Sequence, residues 1–460
     1  MACRPLNIAM ACDYSWPKLG GVEEHIYMLS QELLRRGHKV VIITHAYAST
    51  EPNSSRTGIR YLPNGLKVYH LPLEPIPPQS NHATLPQMFA SLPLVRQVLI
   101  REEVEILHAH QAMSSQGLES ILHARAMGIR ALFTDHSLQG FGGWGEMWGN
   151  KMLKSVLSDV EAVIAVSHTC RENTVLRAAL NPDLVHVIPN AVVASKFSPD
   201  PLRAKRMTKD TVTVVCISRL AYRKGIDLLI GAVPRICEIY PDVKFIIGGD
   251  GPKVIELEQM RERHQQLLRG RVELLGPVRH EQVRDVLIRG EIFLNTSLTE
   301  AFGMGILEAA CSGLYVVSTR VGGIPEVLPD HLISFAQPDV EDVVQVIGAA
   351  IDHIRSGRHD PVKAHEAIRT KYSWADVAER TERVYEAMLT VELPPLVERL
   401  RRIYGTGVVH GKVMCIVALV NCVFLALLEV FDPSDRIDKC PAFSLARYNK
   451  WSDAVMSRIP

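Results

Sequence analysis

Short apolar runs alternate with helical stretches twice along this chain, and that alternation leaves few folds open. In the first half, residues 6–12 (LNIAMAC) read as a buried strand and residues 22–36 as a helix with Ile26, Leu29 and Leu33 on one face. Gly37 stops that helix, and residues 39–44 read as the next strand, completing a βαβ unit. Residues 105–110, 130–134, 162–166 and 185–188 continue the series. In the second half, strands at 211–217, 244–247, 271–275, 291–295 and 314–318 alternate with helices in the same way. The expected fold class is therefore α/β, with two doubly wound sheets. Residues 198–210, with Pro199, Pro201 and a run of charges, read as the linker between them. Doubly wound sheets bind ligands beyond the carboxyl ends of their strands, so the chemistry is sought there.

The stretch 295–313 (NTSLTEAFGMGILEAACSG) carries two glutamates, Glu300 and Glu308, with seven residues between them. A helix over 303–310 puts Glu300 on the strand-to-helix turn and Glu308 just over one turn into the helix. Gly303 and Gly305 leave the helix start bare, so a phosphate could approach free N–H groups and the positive end of the helix dipole. Two carboxylates beside an anion-binding helix start suit a sugar nucleotide; a solvent-facing Glu308 and a capping Glu300 are the plainer alternative. A second strand end carries SRLAYRKG at 218–225, where Arg219 and Lys224 supply fixed cations of the kind a departing diphosphate needs. A third carries RVGGIPE at 320–326. In the first half, Gly20 and Gly21 precede the first helix without GxGxxG spacing, so no nicotinamide cofactor is expected. His108, His110 and His136 fall at strand ends, and no ligand set with zinc spacing accompanies them, so no metal is expected.

The charges nearly cancel, 51 basic against 50 acidic, which argues against nucleic acid as the main partner. Nine cysteines are scattered without a CxxC pair and read as reduced thiols. The first fifteen residues lack a long apolar core behind a basic start, so no secretory leader is expected. Leu85, Met88, Phe89, Leu92, Val95 and Leu99 recur at helical spacing; core packing is the commoner meaning of such a stripe, an interfacial helix the alternative. Trp374, Val377, Ala378, Thr381, Val384, Tyr385 and Met388 form another. Residues 413–431 contain a single charge, Glu429, and one other strongly polar residue, Asn421. That run is long enough to span a bilayer, with a buried core helix as the alternative. Arg399, Arg401, Arg402 and Lys412 before it favour a cytosolic N-terminal side, while Arg436 and Lys439 after it weaken that signal.

Four motifs together, GGVE at 20–23, SRLAYRKG at 218–225, EAFGMGILE at 300–308 and GGIPE at 322–326, resemble those of the retaining GT-B glycosyltransferases of family four. Longer runs narrow the likeness: HIYMLSQELLRRGHKVVIITHAY, LFTDHSLQGF, ENTVLRAALNP, YRKGIDLL, FIIGGDGPK, FLNTSLTEAF and STRVGGIPEVLP. Over residues 5–390 the chain is similar to the family of catalytic subunits of phosphatidylinositol N-acetylglucosaminyltransferase. The resemblance implies two Rossmann-like domains facing across a cleft, an acceptor-side domain over 1–208 and a donor-side domain over 209–373. A closing helix over 374–392, a linker over 393–412, a transmembrane helix over 413–431 and a tail over 432–460 complete the expected layout.

The implied reaction is retaining transfer of N-acetylglucosamine from UDP-N-acetylglucosamine to phosphatidylinositol, the step that opens glycosylphosphatidylinositol (GPI) anchor synthesis. The implied setting is the endoplasmic reticulum membrane, with the catalytic body on the cytosolic side and accessory subunits for partners. By resemblance, Arg219 and Lys224 hold the donor diphosphate, Glu308 binds the ribose and Glu300 contacts the donor sugar. His136 lies near the transferring sugar, and Gly20 and Gly21 line the donor cleft. Glu300 and His136 are thus the candidate catalytic residues, and Gly303 and Gly305 complete the donor-binding set. No cofactor and no metal are implied, and no catalytic base is assigned. The chain departs from many relatives at Val193, where an Asp is usual, which leaves the role of that position open. A mannosyl- or glucosyltransferase acting on another lipid, a GT-B sugar-nucleotide epimerase and a membrane scaffold that kept the fold stand as alternatives.

Overall fold

In the computed structural model, residues 4–16, 20–48, 55–62, 65–76, 84–200 and 211–456 are described. They form two compact units, one running to Pro189 and resuming at Ala375, the other spanning Asn190–Trp374.

The first unit is built on a sheet of eight strands. Their spatial order is Val185–Val187, Ala162–Ala165, Arg130–Asp135, Ile106–His110, Asn7–Ala11, Lys39–His45, Lys67–Leu71 and Gly58–Tyr61. All neighbours are parallel except Gly58–Tyr61, which closes the edge antiparallel to Lys67–Leu71. Strands buried on both faces read as continuous apolar runs, which is why Ile8–Ala11 and Val40–Ile43 are at most 3% exposed. The order turns around Asn7–Ala11, whose neighbours are Lys39–His45 on one side and Ile106–His110 on the other. Loops leaving that point carry Asp13, Gly20 and Ser114.

The second unit holds six parallel strands in the order Val272–Gly276, Val243–Gly248, Val212–Ile217, Ile292–Asn295, Tyr315–Thr319 and Ile333–Ala336. Numbered along the chain this is the 3-2-1-4-5-6 order of a Rossmann sheet, whose switch point falls between Val212–Ile217 and Ile292–Asn295. Val214, Phe245 and Ile292 from the strands meet Ile226, Val233 and Ile347 from the helices in one apolar core. Each such side chain contributes about 1.5–3 kcal/mol by leaving water.

Several expectations change. Residues 201–210, most of the expected linker and the 208/209 boundary with it, lie outside the described residues. The stretch before them is held by the second unit: Phe197 is buried and its ring lies 6.0 Å from that of His280, and Arg284 Nε donates to the Ser198 carbonyl at 3.0 Å. The helix Trp374–Thr390 gives its length to the first unit, where Tyr385 hydrogen-bonds His108 (2.7 Å) and Glu382 pairs with Arg36 and His38. Residues 393–412 are not simply a linker, because a helix forms at Leu396–Tyr404. Its arginines hid the apolar spacing Leu396, Leu400, Ile403; Ile403 is buried and Arg399 grips the buried Asp159 carboxylate at 2.7–3.0 Å. The tail likewise carries a helix, Leu445–Met456. The stripe from Leu85 divides within and just before the helix Met88–Arg101: Leu92, Val95 and Leu99 are core, whereas Leu85 and Phe89 are exposed. His410–Phe431 forms one helix of 22 residues, long and apolar enough to cross a membrane.

Candidate functional site

Three loops of the second unit are fastened to one another at its switch point. The loop after Val212–Ile217 tightens into a 3-10 turn at Tyr222–Lys224 and passes into a helix through Gly225, at φ +65°. A Cβ on Gly225 would overlap the Thr296 carbonyl, so glycine is required by both conformation and space. The close approach lets Thr296 Oγ1 donate to the Lys224 carbonyl and the Leu298 N–H to the Arg223 carbonyl, each at 2.9 Å. From the third loop, the Gly323 N–H donates to the Glu300 carbonyl at 2.9 Å.

Lys224 and Glu300 consequently meet. The ammonium pairs with Glu300 Oε1, which also accepts from Ser297 Oγ at 2.8 Å. The pair is one-third exposed on the lysine side, so a ligand can reach it. Arg219 extends exposed from the same loop as Lys224. The helix Met304–Cys311 follows Gly303, which sits at φ +97° as its N-cap and offers no side chain to its first N–H groups. Gly303 is thus demanded by the backbone, while a Cβ on Gly305 would meet only the Phe293 ring at 3.6 Å. Glu308, on this helix, is 8% exposed. The structure therefore gathers Lys224, Glu300 and Gly303 at one switch point.

In the first unit, Gly20 caps the helix Gly21–Arg35 in an extended conformation that any residue adopts, and nothing lies within 4 Å of a Cβ on Gly21. Neither glycine is required by its backbone conformation; a Cβ on Gly20 would overlap the Glu23 carboxylate, whereas a Cβ on Gly21 would meet open space. His136 follows Arg130–Asp135 and is fixed by the residue before it: Asp135 is buried, paired with Arg177 and accepting from Thr174 Oγ1 at 2.9 Å. His136 Nε2 lies 3.2 Å from His110 Nδ1, and the ring of His25 sits 4.6 Å from that of His136. Burial pushes His108, His110 and His136 well below the ordinary imidazole range, so these rings are neutral at pH 7 and act as donors or acceptors rather than cations.

Asp13 and His25 had no local signal. Asp13, just past the first strand, accepts from Ser114 Oγ and the Gln116 N–H at 2.9 Å and from Thr84 Oγ1 at 2.7 Å, tying three segments together. The imidazoles of His25, His110 and His136 also converge, their ligand atoms within 4.8 Å of one another. A metal could be held there only by displacing the proton that His110 and His136 share.

Known proteins match this arrangement. The sequence pattern of the family described as "PIGA (GPI anchor biosynthesis)" matches residues 51–143, and that of "Glycosyl transferases group 1" matches residues 211–353. The phosphatidylinositol N-acetylglucosaminyltransferase gpi3 subunit of Schizosaccharomyces pombe is 50% identical, covering 93% of this chain and 91% of its own. A Homo sapiens protein, likewise named for one subunit of phosphatidylinositol N-acetylglucosaminyltransferase, is also 50% identical, over 95% of this chain and 87% of its own. The chain belongs to the GPI3 family of phosphatidylinositol N-acetylglucosaminyltransferase subunits. As a member it is a glycosyltransferase.

Solved structures agree on the fold. Sucrose-phosphate synthase from Thermosynechococcus elongatus superposes with a TM-score of 0.66 at 20% identity, covering 84% of this chain and all of its own. Anabaena Alr3699/HepE, in complex with UDP, gives 0.63 at 17% identity, covering 83% of this chain and all of its own. The fold is GT-B, with an apolar C-terminal helix added.

Proposed function

We propose that this chain transfers N-acetylglucosamine from UDP-N-acetylglucosamine to phosphatidylinositol with retention, the first step of GPI-anchor synthesis. We place it at the endoplasmic reticulum membrane, body on the cytosolic side, among accessory subunits. Family membership supports the sugar and the lipid. The observation that carries the chemistry is the Lys224–Glu300 pair at the switch point, beside the bare helix start at Gly303.

Lys224, with Arg219 beside it, neutralises the charge that grows on the diphosphate as the sugar bond breaks. Glu300, relieved of Lys224 when phosphate competes for it, turns to the sugar hydroxyls. Glu308 takes the ribose, and the N–H groups from Gly303 to Gly305 face the phosphate. His136, a neutral imidazole, hydrogen-bonds the transferring sugar, and Gly20 and Gly21 keep the donor-side role that the resemblance implies. No enzyme nucleophile is assigned: the acceptor hydroxyl attacks from the face the phosphate leaves, and the phosphate oxygen takes the proton. The two cations supply the positive charge, so the reading calls for no metal or cofactor, and activity should persist in EDTA.

The test uses membranes holding the chain with its complex, given radiolabelled UDP-N-acetylglucosamine and phosphatidylinositol. Labelled lipid that a phosphatidylinositol-specific phospholipase cleaves, and that Glu308→Ala abolishes, supports the reading. Label transferred only from UDP-glucose or a mannosyl donor would leave the glycosyltransferase and overturn the sugar.

A further inference from the structure

Strand register sets a row of side chains on one face of the first sheet. Met10 is level with His108, and His110 with Thr134. Side chains two apart on a strand share a face, so Met10, His108, His110 and Thr134 point the same way. His136, two residues beyond Thr134, extends the row past the strand end, its ring stacked 5.5 Å from that of His110. Met10, His108 and His110 are fully buried, and His136 is half-buried. The two nitrogens of His108 meet the Tyr385 hydroxyl at 2.7 Å and Thr134 Oγ1 at 2.6 Å, groups that donate or accept as required. Those of His110 meet partners of another kind. Nδ1 lies 3.2 Å from His136 Nε2, and Nε2 lies 3.5 Å from Met10 Sδ.

The sulfur settles where the proton of His110 sits. A thioether accepts hydrogen bonds and never donates one. Burial holds His110 well below the ordinary imidazole range, so the ring is neutral and carries a single N–H. With that N–H on Nε2, it points at sulfur, and Nδ1 is left as an acceptor for His136. With it on Nδ1, the Nε2 lone pair faces the lone pairs of sulfur inside the core, and an unpaired buried acceptor disfavours that form by about tenfold or more. The constraint passes outward. His136 is neutral for the same reason and supplies the proton between the rings from its Nε2, so its own Nδ1 is bare. Among the described residues, His110 is the one hydrogen-bond partner of His136. His25 bounds that ring by an edge contact, centroids 4.6 Å apart.

We propose that His110, its proton drawn to Nε2 by Met10, is a positioning residue that fixes His136 as a hydrogen-bond acceptor at Nδ1. A bare Nδ1 takes a group that donates, such as a sugar hydroxyl, and turns away groups that only accept, phosphate and carboxylate above all. The sugar half of this rests on the reading that places His136 at the transferring sugar; the tautomer does not.

The tautomer is read by nitrogen NMR on the full chain with its complex in detergent, histidine being isotope-labelled and His136 identified by the signals that His136→Gln removes. The expected His136 has a protonated Nε2 and a bare Nδ1; the reverse would overturn the proposal. Met10→Leu keeps the volume and removes the sulfur, so the second tautomer should appear. A His136 unchanged in that variant would overturn the part given to Met10. Binding is read by calorimetry with UDP-N-acetylglucosamine, its deoxy and deoxyfluoro analogues, and UDP. At one sugar position both analogues should bind wild type about tenfold more weakly than the parent, because fluorine cannot donate. A fluoro analogue that binds like the parent where the deoxy analogue does not would make His136 a donor and overturn the proposal. His110→Leu should weaken the parent by about the same factor, and His110→Asn, whose Oδ1 accepts in place of Nδ1, should recover most of it, while UDP, having no sugar, binds all alike. Equal loss in both variants would make His110 a packing residue and overturn its positioning role. Analogues that lose nothing at any position would take the sugar from His136, whereas the NMR result stands apart from which sugar is transferred.

Discussion

Lys224 is already engaged before any ligand arrives, and that shapes what its replacement does. Lys224→Ala removes a charge-assisted bond worth about 1.5–3 kcal/mol, so UDP should bind about ten- to a hundredfold more weakly by calorimetry. Glu300→Gln should act in the opposite direction on binding: with no carboxylate to hold it, Lys224 is free for phosphate, and UDP affinity should rise while turnover falls. Tighter UDP with slower turnover is a result that a purely structural ion pair would not give. The buried imidazoles make a pH prediction whose sign follows from their direction. His108, His110 and His136 are held well below the ordinary range, so below about pH 6.5 the unfolded chain binds protons there that the folded chain does not. Their contribution is complete above that pH and is lost as pH falls. Each histidine removes up to about 1.4 kcal/mol per pH unit between pH 6.5 and its folded value. Urea midpoints across pH 7 to 5 should fall; midpoints that stay level would mean the rings titrate as they do in water.

At the scale of elements, glycines separate backbone necessity from ligand room. Gly225→Ala forces a Cβ onto the Thr296 carbonyl at a positive φ, pulling apart the loops that bring Lys224 to Glu300. The second unit should lose about 1–3 kcal/mol and most UDP binding. Gly21→Ala meets nothing within 4 Å, so its melting temperature should match wild type, and any loss of activity then measures a ligand that approaches there. The central strands and the switch-point loops were legible in the sequence because a strand buried on both faces must be an unbroken apolar run, and the loops after it carry their own motifs. Gly58–Tyr61 was not, since an exposed edge strand leaves no apolar pattern. Leu396–Tyr404 escaped because its arginines, one of them engaged by Asp159, dilute its apolar spacing. Asp13 and the His25–His110–His136 group escaped for a different reason. Asp13 and Ser114 lie 101 residues apart and His25 stands far in the sequence from both other histidines, so nothing local records that they meet.

The whole molecule differs most from its sequence reading in where the C-terminal segment belongs. A helix after the second sheet reads as a closing element that two domains share, yet Ala375 onward is grouped with the first unit and supplies part of its interior. Tyr385 is fully buried, its hydroxyl on His108 beneath the stacked His110 ring. Glu382 receives Arg36 at 2.6 Å and meets His38 at 2.7 Å, joining the end of the first helix to the start of the second strand. Arg130 donates to the Met388 and Val391 carbonyls at 2.9 Å, fastening the strand that leads to His136. Among the described residues, the sheet and apolar core of the second unit fall within Asn190–Trp374. Separated halves should therefore behave unequally. Residues 190–374 should fold alone and bind UDP, while residues 1–189 without the C-terminal segment should be insoluble or molten, and adding back 375–460 should restore them. Within the full chain, Tyr385→Ala should cost about 3–5 kcal/mol, the range for emptying a buried aromatic site, whereas Tyr385→Phe keeps the ring and loses only the bond to His108. If residues 1–189 alone gave a cooperative unfolding transition, the C-terminal segment would be a decoration of the first unit, and the placement of its histidines would not depend on Tyr385.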